Sequence, residues 1–435
     1  FWLKAGLQLP QLRACRLCCF DRSVMLVAIG TYTEPANHVN GKLGVGVYTY
    51  RADMLGRLTP SGSPPFQCRN PTYMVRHPHL NVLYVAHEVS EWTGLKGEAS
   101  AVSALKFDAD TGALTPLNVR PLAGAVACHV DTDGRHLAVA CYVGALGKGM
   151  LHVVALDEGS GALGEVTDTA AFTSSSSTAG DAARKGVDAG RQANPHPHMA
   201  CFWPLATAPW REAPPEAASL LLVPDLGGDC LYTLAIDAGS GQLLAAGPGE
   251  PLTGDLEAQA RVSPLTTGSG PRHCAIDADR GVAYVLCELM STVDVVSLKT
   301  LECLQTVSTL PAKVDLSGNP FFAQKIQQSE AAALKMSPDG CALYASNRGH
   351  DSIAVIDIVD GEGGFPTLAA RDFLSTRGRT PRDFFIGSDG KYILAMNQDS
   401  GSIVRFLIQD SVLTPAGDSY EVPAPVAMIA LASQA

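Results

Sequence analysis

One phrase recurs along the chain, an apolar run that ends in a small polar cluster. It reads Val27-Ala28-Ile29-Gly30-Thr31-Tyr32, then Val85-Ala86-His87-Glu88, then Val139-Ala140-Cys141-Tyr142. It returns as Leu222-Val223-Pro224-Asp225, Val285-Leu286-Cys287-Glu288, Tyr344-Ala345-Ser346-Asn347 and Leu394-Ala395-Met396-Asn397. Seven copies at this period mark a radial β array, because one unit alone leaves an apolar face that only its neighbour can cover. A chain of 435 residues would otherwise argue for two or three domains. Repetition removes that pressure, and residues 25–435 read as one domain.

Each unit has the same grammar. In the sixth, Arg382-Asp383-Phe384-Phe385-Ile386 is a short strand and Ser388-Asp389-Gly390-Lys391 a tight turn. Tyr392 to Met396 is a second strand, Asn397 to Gly401 a loop, and Ser402 to Phe406 a third strand. The turn recurs at Asp133-Gly134, Asp279-Arg280 and Ser337-Pro338-Asp339-Gly340, chemistry that favours two-residue hairpins. A third strand ending in Asp is followed by Gly112-Ala113-Leu114, Gly161-Ala162-Leu163 or Gly241-Gln242-Leu243, which opens an outer fourth strand. Four antiparallel strands in each of seven units make an all-β, seven-bladed β-propeller. Its seventh blade is split: residues 25–50 supply some strands and the tail from Pro425 to Ala430 another. N- and C-terminal strands then close the ring and remove two open edges. Insertions interrupt the pattern at 157–196, 205–216, 244–270 and 308–330. The Ser-rich stretch at Thr173–Ser177 reads as a mobile surface loop, and the one with Pro209, Pro214 and Pro215 as a stretched hairpin turn.

A net charge of −11 excludes nucleic acid or an anionic membrane as the main partner. No stretch of 18 apolar residues is present, so no helix is expected to span a membrane. The cysteines are mostly scattered singly in strand-like runs and read as buried thiols of a reducing compartment, the cytoplasm. Cys15-Arg16-Leu17-Cys18-Cys19 contains a C-x-x-C, but no second Cys/His pair follows at zinc spacing, so no metal is expected there. Residues 1–24 form a basic leader that reads as poorly ordered or as a targeting remnant; an organelle is the alternative location.

The grammar also says where a site must be. If the Asp-Gly turn lies at the far face, the loop before strand one and the loop after strand two share the near face. Before first strands stand Cys128-His129, Arg191 to His198, Gly270-Pro271-Arg272-His273 and Thr380-Pro381-Arg382-Asp383. After second strands stand His87-Glu88, Asp225, Glu288 and Asn347-Arg348-Gly349-His350-Asp351. On a closed ring these converge at the mouth of the channel. Arg191, Arg272, Arg348 and Arg382 would repel one another unless an anion or carboxylates sat among them. Arginine also grips phosphate and carboxylate bidentately. The neighbouring His129, His198 and His273 bring groups titrating near neutrality, suited to acid–base work. The bland alternative is a salt-bridge ring in which Asp225, Glu288 and Asp383 neutralise the arginines. His350-Asp351-Ser352 are consecutive and cannot form a triad with each other, and no G-x-S-x-G elbow is present. With H-x-x-x-H spacing absent, no metal or other cofactor is expected.

These motifs resemble the seven-bladed propeller lactonase family. The matching phrases are Gly30-Thr31-Tyr32-Thr33, Asn70-Pro71-Thr72-Tyr73, Cys128-His129-Val130, Arg191-Gln192 with Pro195-His196-Pro197-His198, and Val223-Pro224-Asp225-Leu226-Gly227. Further on come Gly270-Pro271-Arg272-His273, Tyr344 through Ile353, and Arg379-Thr380-Pro381-Arg382-Asp383-Phe384. Departures are Cys141-Tyr142, where the family ends in an Asn-Tyr type, and the larger insertions. The resemblance implies hydrolysis of a sugar-acid lactone, 6-phosphogluconolactone first, or in a related branch the lactonising cycloisomerisation of a carboxylated muconate. Arg348 and Arg382, with Arg191 as a further candidate, would hold the anion, alongside Asp225 and Asn347. Arg272 would stabilise the oxyanion, and His198 or His129 would activate water, oriented by Glu288 or His273. The partner is then a small anionic lactone, bound by a monomer or weak homo-oligomer. A non-enzymatic propeller scaffold would instead place apolar anchors in these loops; they hold Arg, His, Asp and Asn, with Tyr142 the main aromatic.

Overall fold

The computed structural model describes residues 24–144, 148–172, 188, 190–204, 217–245, 260–312, 329–361, 364–409 and 412–431. The basic leader with its C-x-x-C, and parts of each insertion, including Thr173–Ser177 and Pro209–Pro215, lie outside them.

Seven antiparallel sheets are arranged as blades. One contains β5 (Pro71–Arg76), β6 (Val82–His87), β7 (Ala99–Phe107) and β8 (Leu114–Ala123). The next contains β9 (Ala125–Thr132), β10 (His136–Val143), β11 (Met150–Leu156) and β12 (Leu163–Ala171). The third has β13 (Cys201–Pro204), β14 (Ala217–Asp225), β15 (Cys230–Asp237) and β16 (Leu243–Ala245), with β17 (Arg261–Pro264) also on β15. Then come β18 (Pro271–Asp277) to β21 (Cys303–Ser308) by way of β19 (Val282–Cys287) and β20 (Thr292–Ser297). The fifth blade runs β22 (Glu330–Met336), β23 (Ala342–Arg348), β24 (Ser352–Asp360), β25 (Pro366–Ser375). The sixth runs β26 (Pro381–Ile386), β27 (Tyr392–Asn397), β28 (Ser402–Gln409), β29 (Val412–Glu421). The last joins both ends of the chain: β30 (Pro425–Ala430) beside β1 (Met25–Thr31), then β2 (Gly46–Ala52), which holds β3 (Leu58–Pro60) and β4 (Phe66–Gln67).

The seven recurrent phrases are the second strands β1, β6, β10, β14, β19, β23 and β27, or their ends. Several are buried over their whole length, because a second strand has a strand on each side and a blade on each face. That is why they read as unbroken apolar runs rather than alternating ones. The cores lie between blades: Ala138, Ala140, Leu151 and Val153 of the second pack on Leu221, Val223, Tyr232 and Leu234 of the third.

Leu114, Leu163 and Leu243 open β8, β12 and β16 as expected. The far-face hairpins, however, are longer than two residues. Five residues separate β22 from β23 and β26 from β27; in the first of these turns Ser337 Oγ accepts from Ala342 N at 2.9 Å and Gly340 N donates to Ser337 O at 2.9 Å. Side-chain acceptance makes the wider turn affordable, and Gly340 supplies its φ of 67°.

Closure rests on β30, which pairs with β1 from Val27↔Ala430 to Thr31↔Pro425 and buries Val426 and Met428. Each such side chain contributes about 1.5–3 kcal/mol by burial, and the whole fold rests on roughly 5–15 kcal/mol. Ending the chain at Val422 is therefore expected to abolish the cooperative thermal transition or lower Tm by about 10 °C or more, read by circular dichroism. An unchanged Tm would show that the ring holds without its C-terminal strand.

Candidate active site

Every innermost strand carries the same irregularity. Pro271 pairs with Cys287 and His273 with Leu286, so Arg272 is one residue too many. Arg382 is the extra residue between Pro381↔Asn397 and Asp383↔Met396. Thr72, Cys128 and Val426 occupy the equivalent places. The register also slips by one between Pro197↔Asp225 and Cys201↔Leu222, and between Ala331↔Asn347 and Leu334↔Ala345. A bulge bends its strand and re-aims a side chain. Here Thr72, Cys128, His198, Arg272, Arg382 and Val426 all line one space in the channel.

Proline precedes five of these residues, at 71, 197, 271, 381 and 425, which suits a bulge on an edge strand. In five blades the residue before that is left-handed: Asn70 (φ 33°), Val126 (φ 61°), Gly270 (φ 65°), Thr380 (φ 61°) and Ala424 (φ 39°). Such backbone costs roughly 1–3 kcal/mol at a non-glycine residue unless its surroundings hold it. Thr380 is held by Asp351 Oδ1 and Asp399 Oδ2, at 2.8 and 2.7 Å. Asn70 donates to Thr33 Oγ1 and Glu88 O, and accepts from the Thr33 and Glu34 amides.

The arginines converge on one buried carboxylate. Arg191 Nη1 and Arg348 Nη2 lie 2.6 and 2.9 Å from Glu288 Oε1, and Arg272 Nε lies 3.4 Å from Oε2. Glu330 takes Arg191 at 3.1 Å and Arg348 at 3.6 Å, while Arg382 reaches Glu88 at 3.3 Å. Burial opposes the charge on Glu288, but the three guanidinium groups outweigh it and hold the carboxyl well below its ordinary range. Burial brings Arg272 down to about 10, still cationic at neutral pH. Four arginines against three glutamates leave the site one net positive charge in an acidic protein. The expected salt-bridge ring is thus correct only for Glu288. Asp383 pairs with Lys335 at 2.9 Å instead.

The histidines differ from expectation. His129, His198 and His273 are buried, with ring centroids about 6 Å from one another for the His129–His273 and His198–His273 pairs. Burial first, and Arg272 second, push all three below the ordinary histidine range, His129 to about 3. They are neutral at physiological pH rather than poised to titrate there. Arg272 Nη1 donates to His198 Nε2 at 2.6 Å, a contact only a neutral ring accepts. His129 accepts at Nδ1 from Ala200 N at 3.4 Å, which assigns its proton to Nε2, a buried donor without a partner among the described residues. Tyr73 stacks on His129 at 4.0 Å.

Two further candidates do not reach the cavity. Asp225 Oδ1 accepts from the amides of His196, Gly227 and Gly228 at 2.6–3.0 Å, organising its own turn, and burial pushes its carboxyl up to about 6. Asn347 is buried and tied to Thr309 by two hydrogen bonds of 2.7 and 2.8 Å. Their place at strand ends misled because residues there alternate between the channel and the blade interior. Glu330, by contrast, was hidden at the edge of an insertion, and its register with Arg348 is what reveals it. Glu88 stands at a strand end that the sequence placed at the mouth, and the structure adds its pairing with Arg382.

The cavity at the channel mouth has about 240 Å³ and is lined by His38, Glu88, Tyr142, Arg191, His198, Glu288, Glu330, Arg348 and Arg382 among others. Below it a space of about 10 Å³, one water's worth, reaches Arg272, His273 and Tyr73. A larger hollow of about 500 Å³ at the hairpin turns holds no Arg, Lys or His. No group of three or more His, Cys, Asp or Glu among the described residues is placed to hold a metal ion.

Fold and site define a seven-bladed propeller with an arginine-rich site at one mouth of its axial channel. Residues 26–430 match the family model described as Lactonase, 7-bladed beta-propeller, and the chain belongs to that family. It is 27% identical over 406 residues to a 6-phosphogluconolactonase of Bacillus subtilis, covering 92% of this chain and 96% of the relative. A putative 6-phosphogluconolactonase from Bacteroides fragilis is 27% identical with a TM-score of 0.71, over 94% of this chain and 98% of that one. The periplasmic gluconolactonase of Pseudomonas aeruginosa, 24% identical with a TM-score of 0.72 over 94% and 99%, shares the fold.

Two outcomes follow from the site's electrostatics. Unfolded histidines take up protons as the pH falls through about 6.5, whereas His129, His198 and His273 stay neutral when folded. The unfolded state then binds more protons, so stability is full above about pH 6.5 and is lost below it. Asp131 and Asp225, pushed up to about 6, and Asp294, also raised by burial, act oppositely, but burial lowers His77, His87, His152, His196 and His350 as well, and these add to the three. The urea midpoint should fall from pH 7 to 5, and less steeply in His129→Gln. Separately, Glu288→Gln leaves three arginines around a neutral amide and should cost about 3–5 kcal/mol in urea unfolding; a cost under about 1 kcal/mol would show that the arginines do not depend on it.

Proposed function

We propose that the protein hydrolyses a small anionic sugar-acid lactone, with 6-phosphogluconolactone the favoured substrate. The observation that carries this reading is the net cationic site in which Arg191, Arg272 and Arg348 share the buried carboxylate of Glu288. An anion entering it takes up guanidinium capacity that the carboxylates leave over. The names of the Bacillus subtilis and Bacteroides fragilis relatives support the phosphosugar substrate.

In this reading Arg348, Arg191 and Arg382 hold the phosphate or carboxylate at the mouth. Arg272, deeper and cationic, meets the carbonyl oxygen and stabilises the oxyanion as water adds. Donors of this kind are worth roughly 10²–10³ in rate. As Arg272 turns to the carbonyl oxygen it frees His198 Nε2, which accepts the water proton, and the ionised Glu288 nearby favours the charged ring. A depressed base is a weaker base, so the larger share of the acceleration falls to Arg272. Reduced thiols suit the cytoplasm: the cysteines among the described residues are all free.

Turnover of freshly generated 6-phosphoglucono-δ-lactone, corrected for spontaneous hydrolysis, tests this. Arg272→Lys, which keeps the charge and loses the fork, should lower kcat about 10²-fold, and His198→Gln by more than about 10-fold. Arg348→Lys should act mainly on KM. No wild-type turnover above background would sink the substrate assignment and bring muconate lactones forward.

A further inference from the structure

The cavity holds a histidine of a different kind. His38 lies on the connection between β1 and β2, in a loop fastened to the neighbouring sixth blade. Gln398 Nε2 donates to His38 O at 2.8 Å, and Asn40 donates through N and Nδ2 to the two Asp399 oxygens at 3.1 and 3.3 Å. The side chain remains 41% exposed, whereas His129, His198 and His273 are buried. It therefore exchanges protons with solvent directly, and it lines the same cavity as His198 and Arg348.

Its proton can be placed. Glu88 is an ionised acceptor: against burial, Arg382 above all holds its carboxyl below the ordinary range. Tyr32, whose ring lies under the Arg382 guanidinium at 5.2 Å, gives its single hydroxyl proton to Glu88 Oε1 at 2.7 Å. The 2.8 Å contact between His38 Nε2 and Tyr32 Oη must then be a donation from His38, since the tyrosine has no second proton to give. Glu88 Oε1 is a further 3.6 Å from the same nitrogen. The Nε2–H is thus held by a Tyr32–Glu88–Arg382 relay, and the ring's other nitrogen, Nδ1, is the one left to exchange a proton on the wall of the cavity.

We infer that His38 is the general acid of lactone opening, an assignment that rests on the hydrolytic function proposed above. Water adds through its oxygen to the carbonyl carbon and loses one proton to His198. Collapse of the intermediate breaks the bond from the carbonyl carbon to the ring oxygen, whose electron pair stays on that oxygen. His38, as the imidazolium, gives it the Nδ1 proton and is left as the neutral ring with Nε2–H on Tyr32, making the product hydroxyl. The new carboxylic acid ionises, His198 releases its proton, and His38 is reprotonated from solvent.

The test is His38→Gln, which retains an N–H donor but cannot transfer its proton. It is assayed on the lactone and on the ring-sulfur analogue of the same lactone, whose thiolate (ordinary thiol pKa about 8.5) leaves without protonation. The expected result is a fall in kcat of about 10²-fold on the lactone with KM within about twofold, and less than about threefold on the thiolactone. Wild-type activity with an unaffected variant would overturn the role of His38 while leaving hydrolysis intact. Equal losses on both substrates would also overturn it, since a disturbed Tyr32–Glu88–Arg382 network would not discriminate between leaving groups. Absence of wild-type turnover on either would overturn both readings together.

Discussion

Each blade of this propeller buries its faces only against its neighbours, so the ring must close for any blade to be complete. Closure is supplied by the pairing of β30 with β1, the two ends of the chain in one sheet. Without it, Val27 and Ile29 on one side and Val426 and Met428 on the other lose their partners. The same closure fixes the inner strands around the channel, and so fixes the distances across the site. Arg191 and Arg382 are remote in sequence, yet line one cavity because the ring admits a single arrangement.

Within that frame the site is built by exception. One extra residue in each inner strand turns a side chain into the channel, and a left-handed residue followed by proline sets the bulge in most blades. Regular strands would have buried half of these positions between blades. Desolvation then decides the chemistry. It is severe enough to keep three histidines neutral, but three guanidinium groups at 2.6–3.4 Å keep Glu288 ionised against it. The balance leaves a net cationic site whose buried polar groups are ordered before a substrate arrives, which is how a preorganised site gains over water.

The repeat was legible because second strands, enclosed on all sides, must be apolar along their whole length. Loop polarity was legible too: Arg191, Arg272, Arg348, Arg382, His198 and Glu288 meet as their strand-end positions suggest. Asp225 and Asn347 occupy similar positions but turn inward to satisfy backbone amides and Thr309. A sequence does not distinguish these two fates, since both need a small polar side chain at a strand end. The histidine ionisation was read wrongly for a related reason. Residue type sets a pKa near neutrality, but the depth of burial beside Arg272 sets the actual one.

The sequence by itself determined the blade count, the ring closure by the chain ends and the face on which the polar loops gather. These follow from strand periodicity and turn chemistry, which are local. Only the tertiary structure decided that Glu288, rather than Asp225 or Asp383, binds the arginines, that Glu330 and Glu88 join it, and that an exposed His38 lines the same cavity as the buried His198. Those outcomes depend on distances between different blades and on solvent exclusion, which arise only once the ring has closed.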